Sequence, residues 1–316
     1  MENKRYFAYS DYLKQKYTQR VYKLPVNLPI TCPNRDGKCG EGGCIFCGEV
    51  GAAFENLPST LSVKEQIKEN MAYIGKKYKA EKFIAYFQNF TNTYMPLSDF
   101  ERLVNEAVME NIVEISISTR PDCINDDYMQ VLKRIKDEHN IEISIELGLQ
   151  TVNYKTLKKI NRGHTLAEFI DAVLCIKKYG FDICTHLILN LPFDDDEDII
   201  ECAKILSALR VKQVKLHCLY IVKNTKMADM YENKEFQMGT YFDYVDKVIL
   251  FLEYLSPDIV IQRLIGRAKE EHTLFANYAT SWWKIKDSID AQMELLDTYQ
   301  GKKCDYLNGK CLNRFI

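Results

Sequence analysis

The sequence predicts an α/β fold in which a parallel sheet forms a partial (β/α)6 barrel, similar to a TIM barrel that does not close. Short segments rich in β-branched and aromatic residues alternate with longer helical patterns, which is typical of right-handed βαβ units. Within several strand segments, apolar and polar residues also alternate, as in 141–150. An open doubly wound sheet favours continuous apolar strands, and an ordinary barrel fills its interior with apolar side chains. The alternation therefore favours an incomplete barrel whose polar interior holds a ligand.

The predicted elements follow one another along the chain. We expect strands at Val21–Leu28, Lys82–Gln88, Val113–Thr119, Ile141–Leu149, Asp182–Leu191 and Gln213–Ile221, with a further candidate at Asp258–Leu264. We expect helices at Val63–Tyr78, Leu97–Glu110, Asn125–Glu138, Asn153–Ile160, Leu166–Tyr179 and Asp195–Leu209. Ser62, and Ser98 with Glu101 three residues later, match patterns of helix N-termini. The intervening helices disfavour an antiparallel sheet with one solvent-exposed face.

Composition excludes several classes of protein. The chain has 316 residues, of which 47% are hydrophobic and 27% charged, so it is not an intrinsically disordered protein. A net charge of −2 gives no strong attraction to nucleic acid or to a membrane. The first residues lack a signal-peptide pattern, and no apolar run is long enough to span a membrane. Eleven cysteines cannot all pair with one another, so we expect a reducing, cytoplasmic environment.

The densest chemical signal is the segment 31–47, which directly follows the first predicted strand. It contains Cys32, Cys39, Cys44 and Cys47, together with glycines that let the backbone fold closely around a bulky group. Four thiolates suit a tetrahedral zinc ion, and thiolates also hold iron–sulfur clusters. The residues alone leave both centres open. The position favours function, because α/β barrels place their active sites at the carboxyl ends of the strands.

Motifs throughout the chain resemble a known family. Cys32-Pro-Asn-Arg-Asp-Gly37 and Gly42-Gly-Cys-Ile-Phe-Cys47 are similar to motifs of radical S-adenosyl-L-methionine (radical SAM) enzymes. The resemblance is to the Elp3-like branch, in the YhcC/YtqA (MnmL-like) family, and it extends from Tyr12 to about Lys302. It continues through the segments 86–94, 118–122, 146–151, 160–164, 185–188, 215–217 and 261–264. The resemblance implies a partial barrel of the radical SAM type, with a [4Fe–4S] cluster and S-adenosyl-L-methionine (SAM) as cofactors.

The resemblance also implies roles for individual residues. Cys32, Cys44 and Cys47 match the three cluster ligands, which makes Cys39 a bystander. The residues expected to bind SAM are Phe46, Gln88, Asn89, Thr91, Asn92, Ser118, Glu146, Gln150 and Arg162. Strand alternation independently places three of them, Gln88, Glu146 and Gln150, on the polar side of the sheet. The residues expected on the substrate side are Arg120, Lys215 and His217, and His186 also faces the interior.

Members of the Elp3-like branch act on the wobble uridine of tRNA. The resemblance implies conversion of 5-carboxymethylaminomethyl-(2-thio)uridine to 5-aminomethyl-(2-thio)uridine, begun by hydrogen abstraction by a 5′-deoxyadenosyl radical. This reaction requires a cationic side chain near the substrate carboxylate, for which Arg120, Lys215 and Arg263 are candidates. The expected partners are tRNA and an electron donor such as flavodoxin or ferredoxin, without a membrane. The alternatives are a radical SAM enzyme for a small metabolite and a non-catalytic, zinc-stabilised RNA-binding protein.

We expect three regions: an N-terminal extension at 1–20, the barrel core at 21–225 and a C-terminal extension at 226–316. Near the C-terminus lies a basic and aromatic set suited to RNA contact, Arg263, Arg267, Lys269, Trp282, Trp283, Lys284 and Lys286. Its alternative interpretation is an amphipathic helix that packs its tryptophans on the barrel. Cys304 and Cys311 are candidates for a second metal site, and the other isolated cysteines are expected to fill the core.

Overall fold

The computed structural model describes residues 4–48, 56–266 and 270–315, so Arg267 and Lys269 lie outside the described residues. The strands are β1 (Val21–Val26), β2 (Lys82–Phe87), β3 (Ile112–Thr119), β4 (Glu142–Gln150), β5 (Asp182–Ile188), β6 (Gln213–His217), β7 (Ile221–Val222), β8 (Val260–Arg263) and β9 (Thr273–Phe275). The helices are α1 (Tyr9–Tyr17), α2 (Val63–Tyr78), α3 (Leu97–Glu106), α4 (Asp126–His139), α5 (Tyr154–Lys159), α6 (Leu166–Lys178), α7 (Asp196–Ala208), α8 (Lys226–Glu232), α9 (Tyr241–Tyr254) and α10 (Trp282–Leu295).

Seven strands form one sheet in the order β1-β2-β3-β4-β5-β6-β8. The pairs β1–β2, β2–β3, β3–β4 and β6–β8 are parallel, and helices connect successive strands. This is the α/β fold of a partial TIM-like barrel, which confirms the predicted fold class. The further candidate strand at Asp258–Leu264 is confirmed as β8, which joins the six expected strands in the sheet. A second, two-stranded antiparallel sheet pairs β7 with β9.

The polar faces of the central strands are enclosed, as the alternating pattern predicted. On β4, Ile145 is fully buried on one side, and Glu146 is 1% exposed on the other. On β3, Ser116 and Glu114 are buried as well. Because carboxylates and hydroxyls are costly to bury without partners, this interior must supply hydrogen bonds. Its residues are therefore candidates for function or for charge pairing.

The chain divides into two compact units, which we name by their contents. The cysteine unit comprises Ser10–Leu149 and Lys158–Cys184, and it contains the cysteine-rich loop. The C-terminal unit comprises Met1–Tyr9, Gln150–Leu157 and Thr185–Ile316.

In the cysteine unit, α1 is fixed to the strands by a buried carboxylate. Glu114 accepts hydrogen bonds from the Tyr17 hydroxyl at 2.6 Å and the Ser144 hydroxyl at 2.7 Å. Lys16 Nζ lies 3.3 Å from both Glu114 and Asp182, and the Tyr12 hydroxyl donates to Asp182 at 2.9 Å. The N-terminal helix is thus tied to β3, β4 and β5 by polar contacts.

In the C-terminal unit, the buried side chain of Gln300 joins both ends of the chain. Its Oε1 accepts from the backbone N–H of Phe7 at 2.9 Å, and its Nε2 donates to the carbonyls of Ser256 at 2.7 Å and Ile259 at 2.8 Å. The Phe7 carbonyl in turn accepts from the N–H of Ile261 at 2.8 Å. The amide side chain thus uses its oxygen and both of its N–H donors to hold the terminal segments to the turn that precedes β8.

Two local predictions need correction. The capping pattern at Ser62 is confirmed with Glu65 as its partner, but Ser98 lies inside α3, which begins after Pro96. Pro96 occupies the N-cap position, so α3 begins at Leu97 as predicted and Ser98 lies in its first turn instead of capping it. The strand predicted at Gln213–Ile221 ends at His217. Its continuation is diverted because the N–H of Leu219 donates to the side chain of Asn190 at 2.6 Å instead of to a neighbouring strand.

In the described ranges, no helix is both long enough and apolar enough to cross a membrane. On α10, the buried face consists of Ile285, Ile289 and Met293, while Trp283 is half exposed. The helix is thus amphipathic, but Trp283 does not belong to its buried face.

Candidate active site

The cysteine-rich loop follows β1 and carries the three predicted cluster ligands. Cys44 is buried, and Cys32 and Cys47 are partly exposed. The backbone N–H of Cys47 donates to the carbonyl of Cys44 at 2.9 Å, and the thiol of Cys47 interacts electrostatically with those of Cys44 and Cys32. The loop therefore brings the three sulfurs into one neighbourhood.

Each of these sulfurs has a guanidinium close to it. Arg35 Nη2 lies 3.1 Å from Cys47 Sγ, and Arg162 Nη1 lies 3.5 Å from Cys44 Sγ. Arg120 Nη1 lies 3.9 Å from Cys32 Sγ. Burial raises the pKa of the Cys47 thiol, and the charge of Arg35 opposes that rise. Positive charges next to sulfur favour the thiolate, which is the form that binds metals and iron–sulfur clusters.

Asn34 connects the cysteine loop to the segment 160–164 of the same unit. Its side chain is fully buried, and its Nδ2 donates to the carbonyl of Asn161 at 2.5 Å. Asn161 returns the interaction by donating to the carbonyl of Gly43 at 2.8 Å, and the N–H of Ile45 donates to the carbonyl of Ile160 at 3.1 Å. The conformation of the loop is therefore set by residues more than a hundred positions later in the sequence.

Two glycines make room for Asn34. A Cβ added to Gly40 would lie 2.5 Å from Asn34 Oδ1, and one added to Gly163 would lie 2.6 Å from the same atom. Gly163 also has a φ of +83°, which disfavours other residues. Asn34 and Asn161 were absent from the predicted site residues. Their signal was their place inside the motifs at 32–37 and 160–164.

Arg162 is buried and is anchored by neighbours in the cysteine unit. Its Nη2 donates to the carbonyl of Gly148 at 2.7 Å, and its Nε donates to Nε2 of His164 at 2.9 Å. Burial, with the charges of Arg162 and Arg120, lowers the pKa of His164 to about 3. His164 is therefore neutral and acts as a hydrogen-bond acceptor for Arg162.

Arg120 lies beside the cysteine loop, where its charge is already paired. Its guanidinium makes a two-point contact with Asp122 at 2.8 and 2.6 Å, and it donates to the carbonyl of Arg162 at 2.9 Å. Its side chain is only 2% exposed. Arg120 therefore supports the loop geometry in the described structure.

The predicted SAM-binding residues after β2 form a buried turn. Thr91, Asn89 and Asn92 are all buried, and Gln88 is half-buried at the end of the strand. Asn92 donates to the carbonyls of Phe87 and Asn89 at 3.1 Å and to that of Ser118 at 2.9 Å. Its Oδ1, like that of Asn89, is buried without a hydrogen-bond partner among the described residues. Asn92 thus fixes the turn and still presents an unused acceptor.

Glu146 pairs with Lys23 in the polar interior of the cysteine unit. The ammonium of Lys23 contacts the carboxylate directly and lies 4.5 Å from the centroid of the Tyr86 ring. The Ser116 hydroxyl approaches the same carboxylate at 3.4 Å, and the Ser118 hydroxyl donates to the Tyr86 hydroxyl at 3.1 Å. The sequence did not indicate Lys23 as a partner of Glu146. Its position on β1, in line with the polar face, was the available signal.

The remaining predicted residues lie at strand ends. Gln150 ends β4 with a φ of +75°, an unusual conformation for a side-chain-bearing residue that often marks functional sites. In the C-terminal unit, Lys215 is buried and His217 is half-buried on β6. The His217 ring centroid lies 5.1 Å from that of His186. Phe46 is half-buried in the cysteine loop.

The other cysteines are free thiols in the described structure. Cys39 is exposed, and Cys304 and Cys311 are not enclosed. Burial raises the pKa of both Cys202 and Cys218 to about 12, so they remain protonated in the core. Cys218 also accepts a contact from Asn190 Nδ2 at 3.2 Å. These observations agree with the core role predicted for the isolated cysteines.

The donor set of the loop fits an iron–sulfur cluster. Three thiols lie in one neighbourhood, each next to a guanidinium, and the unused oxygens of Asn89 and Asn92 are acceptors available to a cationic ligand group. A [4Fe–4S] cluster bound by three thiolates leaves one iron open to a further ligand. The cationic surroundings also suit a cluster whose ligands are anionic.

Comparison with known proteins agrees with this chemistry. Residues 34–206 match the radical SAM superfamily, and residues 211–295 match the Radical_SAM C-terminal domain. YtqA of Bacillus subtilis (strain 168) is 33% identical over 303 residues, which cover 95% of this chain and 92% of that protein. A tRNA uridine(34) acetyltransferase of Methanocaldococcus jannaschii is 23% identical and is matched over 71% of this chain but only 48% of its own length.

Among solved structures, the archaeal Elp3 of Methanocaldococcus infernus superimposes with a TM-score of 0.70 at 13% identity. The match covers 89% of this chain and 64% of that one, and at this identity it supports the fold. The radical SAM match implies a [4Fe–4S] cluster and SAM as cofactors, in agreement with the motif-based expectation. The chain therefore belongs to the radical SAM superfamily and, within it, to the family of YtqA.

Proposed function

We propose that this radical SAM enzyme acts on the wobble uridine of tRNA. In this proposal it converts 5-carboxymethylaminomethyl-(2-thio)uridine to 5-aminomethyl-(2-thio)uridine. The observation that carries the choice of substrate is the likeness to a protein named tRNA uridine(34) acetyltransferase, which spans 71% of this chain. The fold of archaeal Elp3 and the half-exposed Trp283 on α10 are consistent with an RNA substrate.

We assign the cluster to Cys32, Cys44 and Cys47, and SAM to the buried residues at the ends of β2 to β4. When bound, these cofactors supply a carbon-centred radical that removes a hydrogen atom from the substrate, after one electron arrives from a donor such as flavodoxin or ferredoxin. Arg35, Arg120 and Arg162 hold the thiolates in place by their charges. The enclosed polar interior keeps water from the reacting carbon.

The net reaction balances without a further oxidant. Overall, the N–CH2 group of the substrate would lose two protons and two electrons. One proton and one electron would leave together as the abstracted hydrogen atom, the second electron would replace the one that the donor supplied, and the second proton would go to solvent, so that SAM is the net two-electron oxidant. Water then adds to the resulting C=N bond, which breaks to give the aminomethyl group and glyoxylate. The chain's own task is to hold the methylene carbon and its carboxylate in place.

The first test is the nucleoside profile of tRNA from a strain that lacks the gene, measured by mass spectrometry. We expect 5-carboxymethylaminomethyluridine to accumulate and 5-aminomethyluridine to disappear. The wild-type gene and a Cys39→Ser variant should restore the profile, whereas Cys44→Ser should not. An unchanged profile in the deletion strain would exclude this substrate and favour a small metabolite.

The metal content of the anaerobically purified protein distinguishes a radical SAM enzyme from a zinc-stabilised RNA-binding protein. We expect about four irons per chain and SAM cleavage after chemical reduction, both lost in Cys44→Ser and retained in Cys39→Ser. Glyoxylate should be released in a one-to-one ratio with the amine. A colourless protein with one zinc per chain that depends on Cys39 would contradict the assignment.

A further inference from the structure

Arg263 ends β8 in the C-terminal unit and has unused donors. Its Nη2 lies 2.8 Å from Nδ1 and 3.2 Å from Nε2 of the His217 ring. Its Nε is buried and has no hydrogen-bond partner among the described residues. A guanidinium carries five N–H donors and a permanent charge, and an imidazole ring satisfies only a small part of that capacity. Arg263 is half-buried overall, so its outer N–H groups are accessible to a ligand, whereas its buried Nε is left without a partner, which is costly.

Tyr220 supplies a second unused donor next to Arg263. Its hydroxyl is buried and has no hydrogen-bond partner in the described part of the chain. Burial raises the pKa of Tyr220 well above its ordinary value, although the charge of Arg263 opposes the rise. The hydroxyl therefore stays protonated at neutral pH and is able to donate.

Gly266 shows that these two groups converge. A Cβ added at this position would clash with the Tyr220 hydroxyl and would lie 3.3 Å from Arg263 Nη2. The hydroxyl and the guanidinium thus approach the same point on the backbone, which only a glycine leaves open. In addition, Lys215 on β6 is the register partner of Arg263 on β8 and is 7% exposed. Cationic residues at neighbouring strand positions favour an anion near them.

We infer that Arg263 and Tyr220, supported by His217, form an anion site that binds the carboxylate of the substrate. The identity of the carboxylate rests on the proposed function, in which it belongs to the carboxymethylaminomethyl group. Arg263 presents its donors in a planar fork that matches a carboxylate, and Tyr220 adds a neutral donor. The aminomethyl product has no carboxylate, so the same site explains how substrate is distinguished from product.

The test compares two ligands that differ only in charge at this position. We would measure binding of 5-carboxymethylaminomethyluridine and of its carboxamide counterpart by calorimetry, using the anaerobically reconstituted enzyme. Arg263→Gln should weaken binding of the carboxylate about 10- to 100-fold, because a charge-assisted hydrogen bond is lost. It should leave carboxamide binding unchanged. The affinity of Arg263→Lys for the carboxylate should lie between the affinities of wild type and Arg263→Gln. Tyr220→Phe should weaken carboxylate binding about fivefold.

Arg210→Gln is the matched control, since Arg210 is an exposed arginine of the same unit. Arg210→Gln should bind both ligands and cleave SAM without tRNA as wild type does, and unchanged carboxamide binding shows that the Arg263→Gln protein is folded. Tyr220→Phe removes a single oxygen and so tests the site even if the Arg263→Gln protein does not fold. The inference is overturned if Arg263→Gln or Tyr220→Phe binds the carboxylate as wild type does, or if Arg263→Gln weakens binding of both ligands equally.

The inference and the proposed function fail in different ways. If wild type and Arg263→Gln convert the tRNA with the same kcat/KM, the anion site is refuted and the proposed function stands. If wild type does not bind the nucleoside but binds glyoxylate in a manner that depends on Arg263, the uridine substrate is refuted. In that case the anion site is supported and belongs to another carboxylate.

Discussion

Asp194 is a half-buried carboxyl just before α7, and its surroundings disfavour the ionised form. Its Oδ1 has no hydrogen-bond partner among the described residues. Burial, with repulsion from Asp198, raises the pKa of Asp194 to about 6, while the neighbouring Thr151 and Thr156 side chains limit the rise. Its neighbour Asp195 instead caps α7, at the end of the helix where acidic side chains interact favourably with the helix dipole.

This pKa gives stability a definite pH dependence. The pKa of Asp194 is about 6 in the folded state and near the ordinary aspartate value of 3.8 in the unfolded chain. The carboxyl therefore lowers the stability of the folded state increasingly as the pH rises from about 4 to 6, and by a constant amount above that range. Asp194→Asn should therefore raise the free energy of unfolding by about 1–3 kcal/mol at pH 8. The gain should fall below about 1 kcal/mol at pH 4.

Urea unfolding at pH 4, 6 and 8 measures this difference. Asp196→Asn, in the exposed first turn of α7, is the control and should show no such pH-dependent gain. A gain for Asp194→Asn that is independent of pH would contradict the explanation.

At the scale of elements, α1 is held by the charge network around Glu114. Lys16→Met removes the cation that compensates two carboxylates, but the hydrogen bonds of Glu114 to Tyr17 and Ser144 remain. We expect this change to lower the free energy of unfolding by about 1–3 kcal/mol. The matched control is Lys14→Met on the exposed face of α1, which should change it by less than about 0.5 kcal/mol. Equal effects in chemical denaturation would show that the network is not stabilising.

Local patterns predicted much of the fold because hydrophobic alternation and capping are local properties. The α2 helix begins and ends as predicted, and the alternation in β4 correctly marked Glu146 as an interior residue. The partners of interior residues were not predictable in the same way. Lys23 pairs with a residue 123 positions away, and the shortening of β6 depends on Asn190, which lies on another segment. Such contacts depend on register and on three-dimensional packing, which one sequence does not specify.

In the candidate site, too, local patterns were predictable and long-range partners were not. The three cysteines stand out because their spacing is itself the signal. By contrast, the role of Arg120 depends on whether its charge is already paired, and Asp122 pairs it. The proposal of Arg263 rather than Arg120 as the carboxylate ligand depends on their neighbours, which the sequence alone does not show.

At the scale of the whole molecule, the two ends of the chain meet in the C-terminal unit. Gln300→Ala would remove three hydrogen bonds and leave the N–H of Phe7 and the carbonyls of Ser256 and Ile259 without this partner. We expect the free energy of unfolding to fall by about 2–4 kcal/mol. Gln15→Ala on the exposed face of α1 is the control and should be nearly neutral. Urea denaturation distinguishes them, and a neutral Gln300→Ala would show that the termini are held in another way.

The hydrogen bond from Asn161 to Gly43 in the cysteine loop has a consequence for biosynthesis. Gly43 receives its hydrogen bond from a residue 118 positions later, so the loop cannot adopt its final conformation until that residue has left the ribosome. At roughly 5–20 residues per second, this delay lasts about 6–24 s. During that interval the nascent chain lacks the hydrogen bond from Asn161 that holds the cysteine loop in its final conformation. Cluster delivery to this protein is therefore expected to follow translation of residues 160–164, rather than to begin as soon as Cys47 emerges.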